Sequence, residues 1–218
     1  MTVTEEGRSA RKRRSIMEAA ATQFLRNGYQ GTSMDEIAAL AAVSKQTVYK
    51  NFTDKERLFH DIIMGVVGTV EDFLRSVGDT LRDTEDLAAD LHTLGRQYIQ
   101  VVMRPQVLQM RRLLIGESTR FPELARAYYE KVPERVLTAL APELKRLHDR
   151  GLLAVADPDL AAKHFAFLIL GTPLDKAMFV GDDTGFTAED LDRMADEGVR
   201  VFLAAYRPTT VVNQGPRS

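Results

Sequence analysis

The chain has 218 residues, 44% hydrophobic and 28% charged, values expected of a globular protein with one large domain or two smaller ones. It contains no cysteine, which excludes disulfides and thiolate metal sites, and no apolar run reaches the roughly 20 residues of a membrane-spanning helix. The net charge of −2 hides an asymmetry. Residues 1–60 carry ten Lys/Arg against seven Asp/Glu, whereas the remaining 158 carry 19 against 24. A basic head on an acidic body suits a polyanion-binding module joined to something else. The basic cluster Arg11 to Arg14 is not followed by an apolar core, so no secretory signal is read there and a cytoplasmic location is expected.

Nearly every segment reads as helix, so the expected fold class is all-α. Residues 1–9 are polar and are expected to form a disordered arm. A first helix spans about Arg11 to Arg26, with Ile16, Ala20 and Phe24 repeating on one face, and Asn27-Gly28 ends it. Ser33-Met34-Asp35-Glu36 has capping-box spacing, and the helix it opens buries Met34, Ile37, Ala38 and Ala41. After Ala42-Val43, Ser44 is placed to cap a short third helix to about Asn51. Thr53-Asp54-Lys55-Glu56 repeats the capping box and opens a fourth helix expected to continue past Phe73. Two short helices around a tight turn give a helix-turn-helix over residues 33–52.

Longer helices are expected at about 83–103, 105–119, 122–150, 157–174 and 187–206. Asp157-Pro158 and Phe121-Pro122-Glu123 are start signals, and Pro133 and Pro142 are expected to kink or divide the helix they lie in. The domain plan is an arm over 1–9, a DNA-binding head over 10–70, a helical body over 71–207 and a tail over 208–218.

The third helix has the build of a recognition helix. Val48 and Phe52 can pack backward, leaving Lys45, Gln46, Thr47, Tyr49 and Lys50 outward. Gln donates and accepts together, which suits an adenine edge, and Lys favours guanine or phosphate. Hydroxyls of Thr and Tyr commonly hold phosphate oxygens.

These residues carry a family resemblance. The run from Ile16 to Phe59 resembles the DNA-binding domain of TetR-type regulators through Phe24, Gly28-Tyr29, Thr32-Ser33, Ile37-Ala38, Val43-Ser44, Val48-Tyr49, Phe52, Lys55-Glu56 and Leu58-Phe59. One position departs: Ala42 stands where the family usually has Gly, and a positive φ there would cost about 1 kcal/mol. The resemblance implies that Thr32, Ser33, Tyr49 and Lys55 hold phosphates, with Ser44 at the helix start. It also implies that Lys45, Gln46, Thr47 and Lys50 sit in or near the major groove. Arg8 to Arg14 either reach along the DNA or form a solvated charge run.

Leu113 to Glu134, above all Glu117-Ser118-Thr119-Arg120-Phe121-Pro122-Glu123-Leu124, resembles the C-terminal domain of AefR-like members of the family. The implied protein is a homodimeric repressor, released from a palindromic operator by a small-molecule effector and needing no cofactor. Candidate dimer seams are Leu160, His164, Phe167, Leu168 and Gly171, and Leu191, Met194, Val201, Phe202 and Ala205, although an intramolecular core explains them equally well. Tyr98, Met103, Met110, Glu117, Tyr128, Phe165 and Phe179 are candidates to line an effector pocket, or are simply core. Arg111 and Arg112 either pair with Glu117 or an acidic effector, or are solvated.

An enzyme is not expected. His60, His92, His148 and His164 are scattered without ligand spacing, and Gly116-Glu117-Ser118 lacks the second Gly of a nucleophile elbow. The rival reading is a helical ligand-binding or scaffold protein whose degenerate head no longer binds DNA.

Overall fold

The computed structural model describes residues 3–208, of which residues 3–6 and 8 are described by their backbone only. The described residues form eleven α-helices and no strand. They are α1 (Val3–Asn27), α2 (Met34–Leu40), α3 (Lys45–Asn51), α4 (Lys55–Met64), α5 (Val67–Arg82), α6 (Leu87–Val102), α7 (Pro105–Glu117), α8 (Pro122–Lys131), α9 (Pro133–Asp149), α10 (Pro158–Val180) and α11 (Ala188–Tyr206).

Several boundaries differ from the sequence expectation. The first helix begins at Val3, so the expected arm over 1–9 is helical from residue 3 onward. Met1, Thr2 and, apart from Pro208, the expected tail lie outside the described residues. The fourth helix does not run through to Phe73; it stops at Met64 and a new one starts at Val67. Its cap is Asp54 rather than Thr53, because the Asp54 carboxylate accepts the Arg57 N–H at 2.7 Å. Pro133 starts α9, where its missing N–H costs nothing, whereas Pro142 is accommodated inside that helix. The tenth helix also continues past Pro173 to Val180.

The chain divides into two compact units. Among the described residues the first comprises 3–69 together with Pro105–Lys131; the second comprises Val70–Arg104 and 132–208. Helices α7 and α8, assigned by sequence to the body, lie in the same compact unit as the helix-turn-helix.

In the first unit α1 packs on α2, α4 and α7, while α4 also meets α8. The core is apolar: Ile16, Phe24, Ile37, Val48, Leu58, Phe59 and Ile63 are fully buried, and Phe52 nearly so.

In the second unit α11 lies against α6 and α10, and α9 packs on α10. Small residues permit the close approach. A Cβ on Gly198 would stand 2.8 Å from the Leu168 carbonyl oxygen, and one on Gly95 would stand 2.8 Å from a Val199 methyl. A polar seam joins α6 to α11: Arg96 donates twice to Asp196, at 2.9 and 2.7 Å, His92 meets the same carboxylate at 2.9 Å, and Gln100 donates to Asp192 at 2.8 Å. The Arg96 hydrogen bonds hold the Asp196 carboxyl below its ordinary pKa.

The Gly198 contact is with backbone, which cannot rotate away. Gly198→Ala is expected to force α10 and α11 apart and to cost roughly 1–3 kcal/mol. Denaturant titration of the purified variant checks this, and a midpoint unchanged from wild type would contradict it.

Candidate nucleic-acid interface

The helix-turn-helix begins with a complete capping box. The Ser33 hydroxyl oxygen accepts the Glu36 N–H at 3.2 Å, and the Glu36 carboxylate accepts the Ser33 N–H at 2.9 Å and its hydroxyl at 2.8 Å. These donors from Ser33 hold the Glu36 carboxyl below its ordinary pKa. After α2 the backbone closes tightly: Val43 N–H donates to Ala38 O at 3.1 Å and Ala42 N–H to Ala39 O at 3.2 Å. Ala42 has φ +51°, the left-handed conformation that the departure from Gly called into question. The turn keeps its hydrogen bonds without glycine, at the steric cost of a Cβ in that region. The Ser15 hydroxyl donates to Ala41 O at 3.2 Å, tying the turn to α1.

Ser44 caps α3, accepting the Thr47 N–H at 3.2 Å, and the two hydroxyls lie 2.8 Å apart. Val48 and Phe52 are buried as the four-residue spacing expects. Gln46, Tyr49 and Lys50 are exposed on the opposite side, Tyr49 by 46%. Lys45 is exposed but pairs with Asp35 of α2 at 2.8 Å, which raises its pKa. Such an exposed pair is worth little.

Two expected phosphate contacts are differently employed. Thr32 is only 2% exposed, and its hydroxyl donates to Gly28 O at 2.8 Å, so it braces the loop before α2 and presents no side chain outward. The Lys55 ammonium donates to Tyr29 O at 2.8 Å and Thr32 O at 2.7 Å while lying 4.4 Å from the Tyr29 ring centroid. Two of its three N–H groups are therefore spent holding that loop. Arg13, expected in the basic arm, is likewise committed. It pairs with Asp61 at 2.6 Å, donates to Asn51 O at 3.2 Å and covers the Phe52 ring. Arg11, Lys12 and Arg14 remain exposed.

A feature that sequence reasoning missed is the docking of the α7–α8 turn on the head, within the same unit. Phe121 joins Tyr29, Phe24 and Phe59 in an aromatic cluster whose contacting rings lie 4.7–5.9 Å apart. Glu117 accepts the Tyr29 N–H at 3.3 Å and pairs with Arg120 at 3.3 Å. Burial, with Glu56 and Asp54 nearby, pushes the Tyr29 phenol up.

The expected effector-pocket residues are divided between the two units. Tyr98, Met103 and Phe165 are buried in the second unit, where Phe73 stacks on Tyr98 and Phe202 meets Phe165 edge-on. Met110, Glu117 and Tyr128 belong to the first unit. Phe179 is 83% exposed, on the last turn of α10, which runs on to Val180.

The pattern of the tetR family of bacterial regulatory proteins matches residues 16–62, and that of the AefR-like transcriptional repressor C-terminal domain matches residues 89–208. The latter alone spans more than half of the sequence. The chain belongs to the TetR family. A crystal structure of a TetR-family transcriptional regulator from Mesorhizobium loti MAFF303099 is 44% identical over 92% of this chain and 98% of its own, with a TM-score of 0.81. The flavonoid-responsive regulator FrrA is 33% identical over 92% of this chain and 99% of its own, at a TM-score of 0.67. The HTH-type transcriptional regulator YhgD of Bacillus subtilis (strain 168) is 24% identical over 180 residues, 78% of this chain and 91% of its own length. Like its family, this protein is a DNA-binding transcription regulator, built from a helix-turn-helix head and the helical C-terminal region of the AefR-like repressors. Among the described residues no helix is long and apolar enough to cross a membrane.

Ala42 is exposed and its Cβ serves no packing role visible in the turn. Ala42→Gly is therefore expected to stabilise the protein by about 0.5–1 kcal/mol, the relieved left-handed strain exceeding the added chain entropy. Urea unfolding read by circular dichroism tests this; a destabilised variant would show that the turn is not strained.

Proposed function

We propose that the protein is a homodimeric repressor that reads a palindromic operator with α3 and leaves it when a small-molecule effector binds. The carrying observation is the division of α3, with Val48 and Phe52 buried behind and Gln46, Tyr49 and Lys50 exposed in front. In this reading Gln46 contacts a base edge, Tyr49 and Lys50 hold backbone or groove-edge atoms, and Lys45 exchanges Asp35 for phosphate. Ser33, Ser44 and Thr47 shape the two helix starts, and Thr32 and Lys55 position α2. FrrA, at 33% identity, is described as flavonoid-responsive, which supports an aromatic effector here.

The dimer reading is supported by α10. Leu160, Phe167 and Leu168 are exposed by 45%, 79% and 41% along one helix face, with His164 and Gly171 on the same stripe. Phe202, by contrast, is buried within the chain, so the second expected seam is partly intramolecular. A two-fold dimer would place paired α3 helices in successive major grooves of a palindrome, roughly 34–36 Å apart.

DNA fragments selected from a random duplex library supply the operator for fluorescence anisotropy. Lys50→Ala is expected to weaken binding to all sequences and to reduce the salt slope by about one. Gln46→Ala is expected to relax preference at particular positions by about 1–3 kcal/mol. Wild-type protein with no steep salt-dependent affinity would instead favour the scaffold reading.

Phe167→Asp places a charge on the exposed α10 stripe without touching the core. Sedimentation velocity is expected to show a folded monomer with much weakened operator binding. A variant that sediments as the wild type does would remove this stripe from the interface.

A further inference from the structure

We propose that Arg111 on α7 and Tyr128 on α8 read the effector, and that the effector carries an acidic oxygen, an aryl carboxylate or a phenol. The inference rests on the effector reading above and gives it a chemical class. Both helices belong to the first unit, and both pack on α4.

Tyr128 is only 5% exposed, yet its hydroxyl makes no hydrogen bond among the described residues; Arg111 is half-buried, and its Nε is likewise shielded and without a hydrogen-bond partner. Folded proteins leave few buried polar atoms in this state, and each exception calls for a ligand, ion or water. Here two donors from consecutive helices share the condition. A guanidinium keeps its charge at any accessible pH, so a buried N–H without a partner favours an anion over a neutral acceptor. The one carboxylate of α7, Glu117, is committed to the Tyr29 N–H and Arg120. Met110 and Leu114 on α7 and Leu124 on α8 are buried beside them in sequence, which suits an apolar body attached to the acidic oxygen.

Four matched probes test this on the full chain: 4-hydroxycinnamate, its methyl ester (phenol only), 4-methoxycinnamate (carboxylate only) and 4-methoxycinnamamide (neither). Calorimetric titration is expected to show binding of the acidic probes, with the amide at least tenfold weaker. Tight binding of the methoxy acid at pH 7 identifies a carboxylate; binding of the methyl ester that strengthens from pH 7 to pH 9 identifies a phenolate. Arg111→Gln is expected to weaken the preferred probe at least tenfold, with partial recovery in Arg111→Lys, and Tyr128→Phe to weaken it three- to tenfold.

A second readout needs no ligand. If the Tyr128 hydroxyl has no partner in the free protein, Tyr128→Phe melts within a degree of wild type or above it. Melting several degrees lower means that the hydroxyl is satisfied internally, and the proposal falls. It falls equally if the amide binds as tightly as the acids, if Arg111→Gln titrates as wild type, or if no probe binds. Release of the operator by the amide, insensitive to Arg111→Gln, would leave the effector reading standing without this one. Acidic probes that bind through these residues but leave the operator complex intact would break the effector reading and keep the assignment.

Discussion

The geometry of the DNA-binding head depends on how Tyr29 is held. Its ring meets Phe24, Phe59 and Phe121, its carbonyl takes the Lys55 ammonium, and its N–H reaches Glu117. Each contact is modest: an aromatic pair contributes about 0.5–1.5 kcal/mol beyond burial, and a cation over a ring a similar amount. Their effect lies in convergence on the loop from Gly28 to Thr32, which places the Ser33 cap of α2. Any displacement there passes to α3, because the hydrogen-bonded turn at Ala42 leaves the two short helices little freedom. Burial, and after it the neighbouring Glu56 and Asp54, raise the pKa of the phenol above its ordinary value.

Local chemistry was the part of this head that could be read in advance. The caps Ser33 and Ser44, the buried Val48 and Phe52 and the exposed Gln46, Tyr49 and Lys50 follow from spacings of three or four residues. Ala42 was legible as the one irregular position, and its positive φ is the physical content of that irregularity. The internal partners of Thr32, Lys55 and Arg13 were not legible, because a polar residue near a binding motif looks outward until its partner is known. Lys55 spends itself on carbonyls 23 and 26 residues away, and Arg13 on an aspartate 48 residues away. Periodicity carries no information at that range. The exposure of Phe179 was hidden for a different reason: the helix expected to end near residue 174 continues to Val180.

The domain plan shows the same division between local and distant. A boundary near residue 70 follows from the change in helix length and charge, and the compact units also change there. The return of α7 and α8 to the head depends on tertiary packing, chiefly Phe121 among the aromatic rings, and no linker-like stretch announces it. The second unit has an independent logic, in which Gly95 and Gly198 let α6, α10 and α11 close on one another and Asp196 joins α6 to α11. An alanine at Gly198 would meet backbone, so this closeness is a sequence requirement as specific as any in the head.

Membership of α7 and α8 in the head unit bears on how a ligand could control DNA binding. Between Arg111 and Tyr128 in sequence lie Glu117 and Phe121, two of the residues that hold Tyr29. An effector bridging α7 and α8 would act on the turn that carries both contacts. It shifts the head only by the difference in its affinity for the two arrangements. The contacts at stake are few and each worth about 1 kcal/mol. A preference of about a hundredfold, near 2.7 kcal/mol, is therefore comparable with the whole joint. Control of this head does not require unfolding it or reshaping its core. If the proposed site is the control point, a ligand that competes with a handful of weak contacts around one tyrosine is enough.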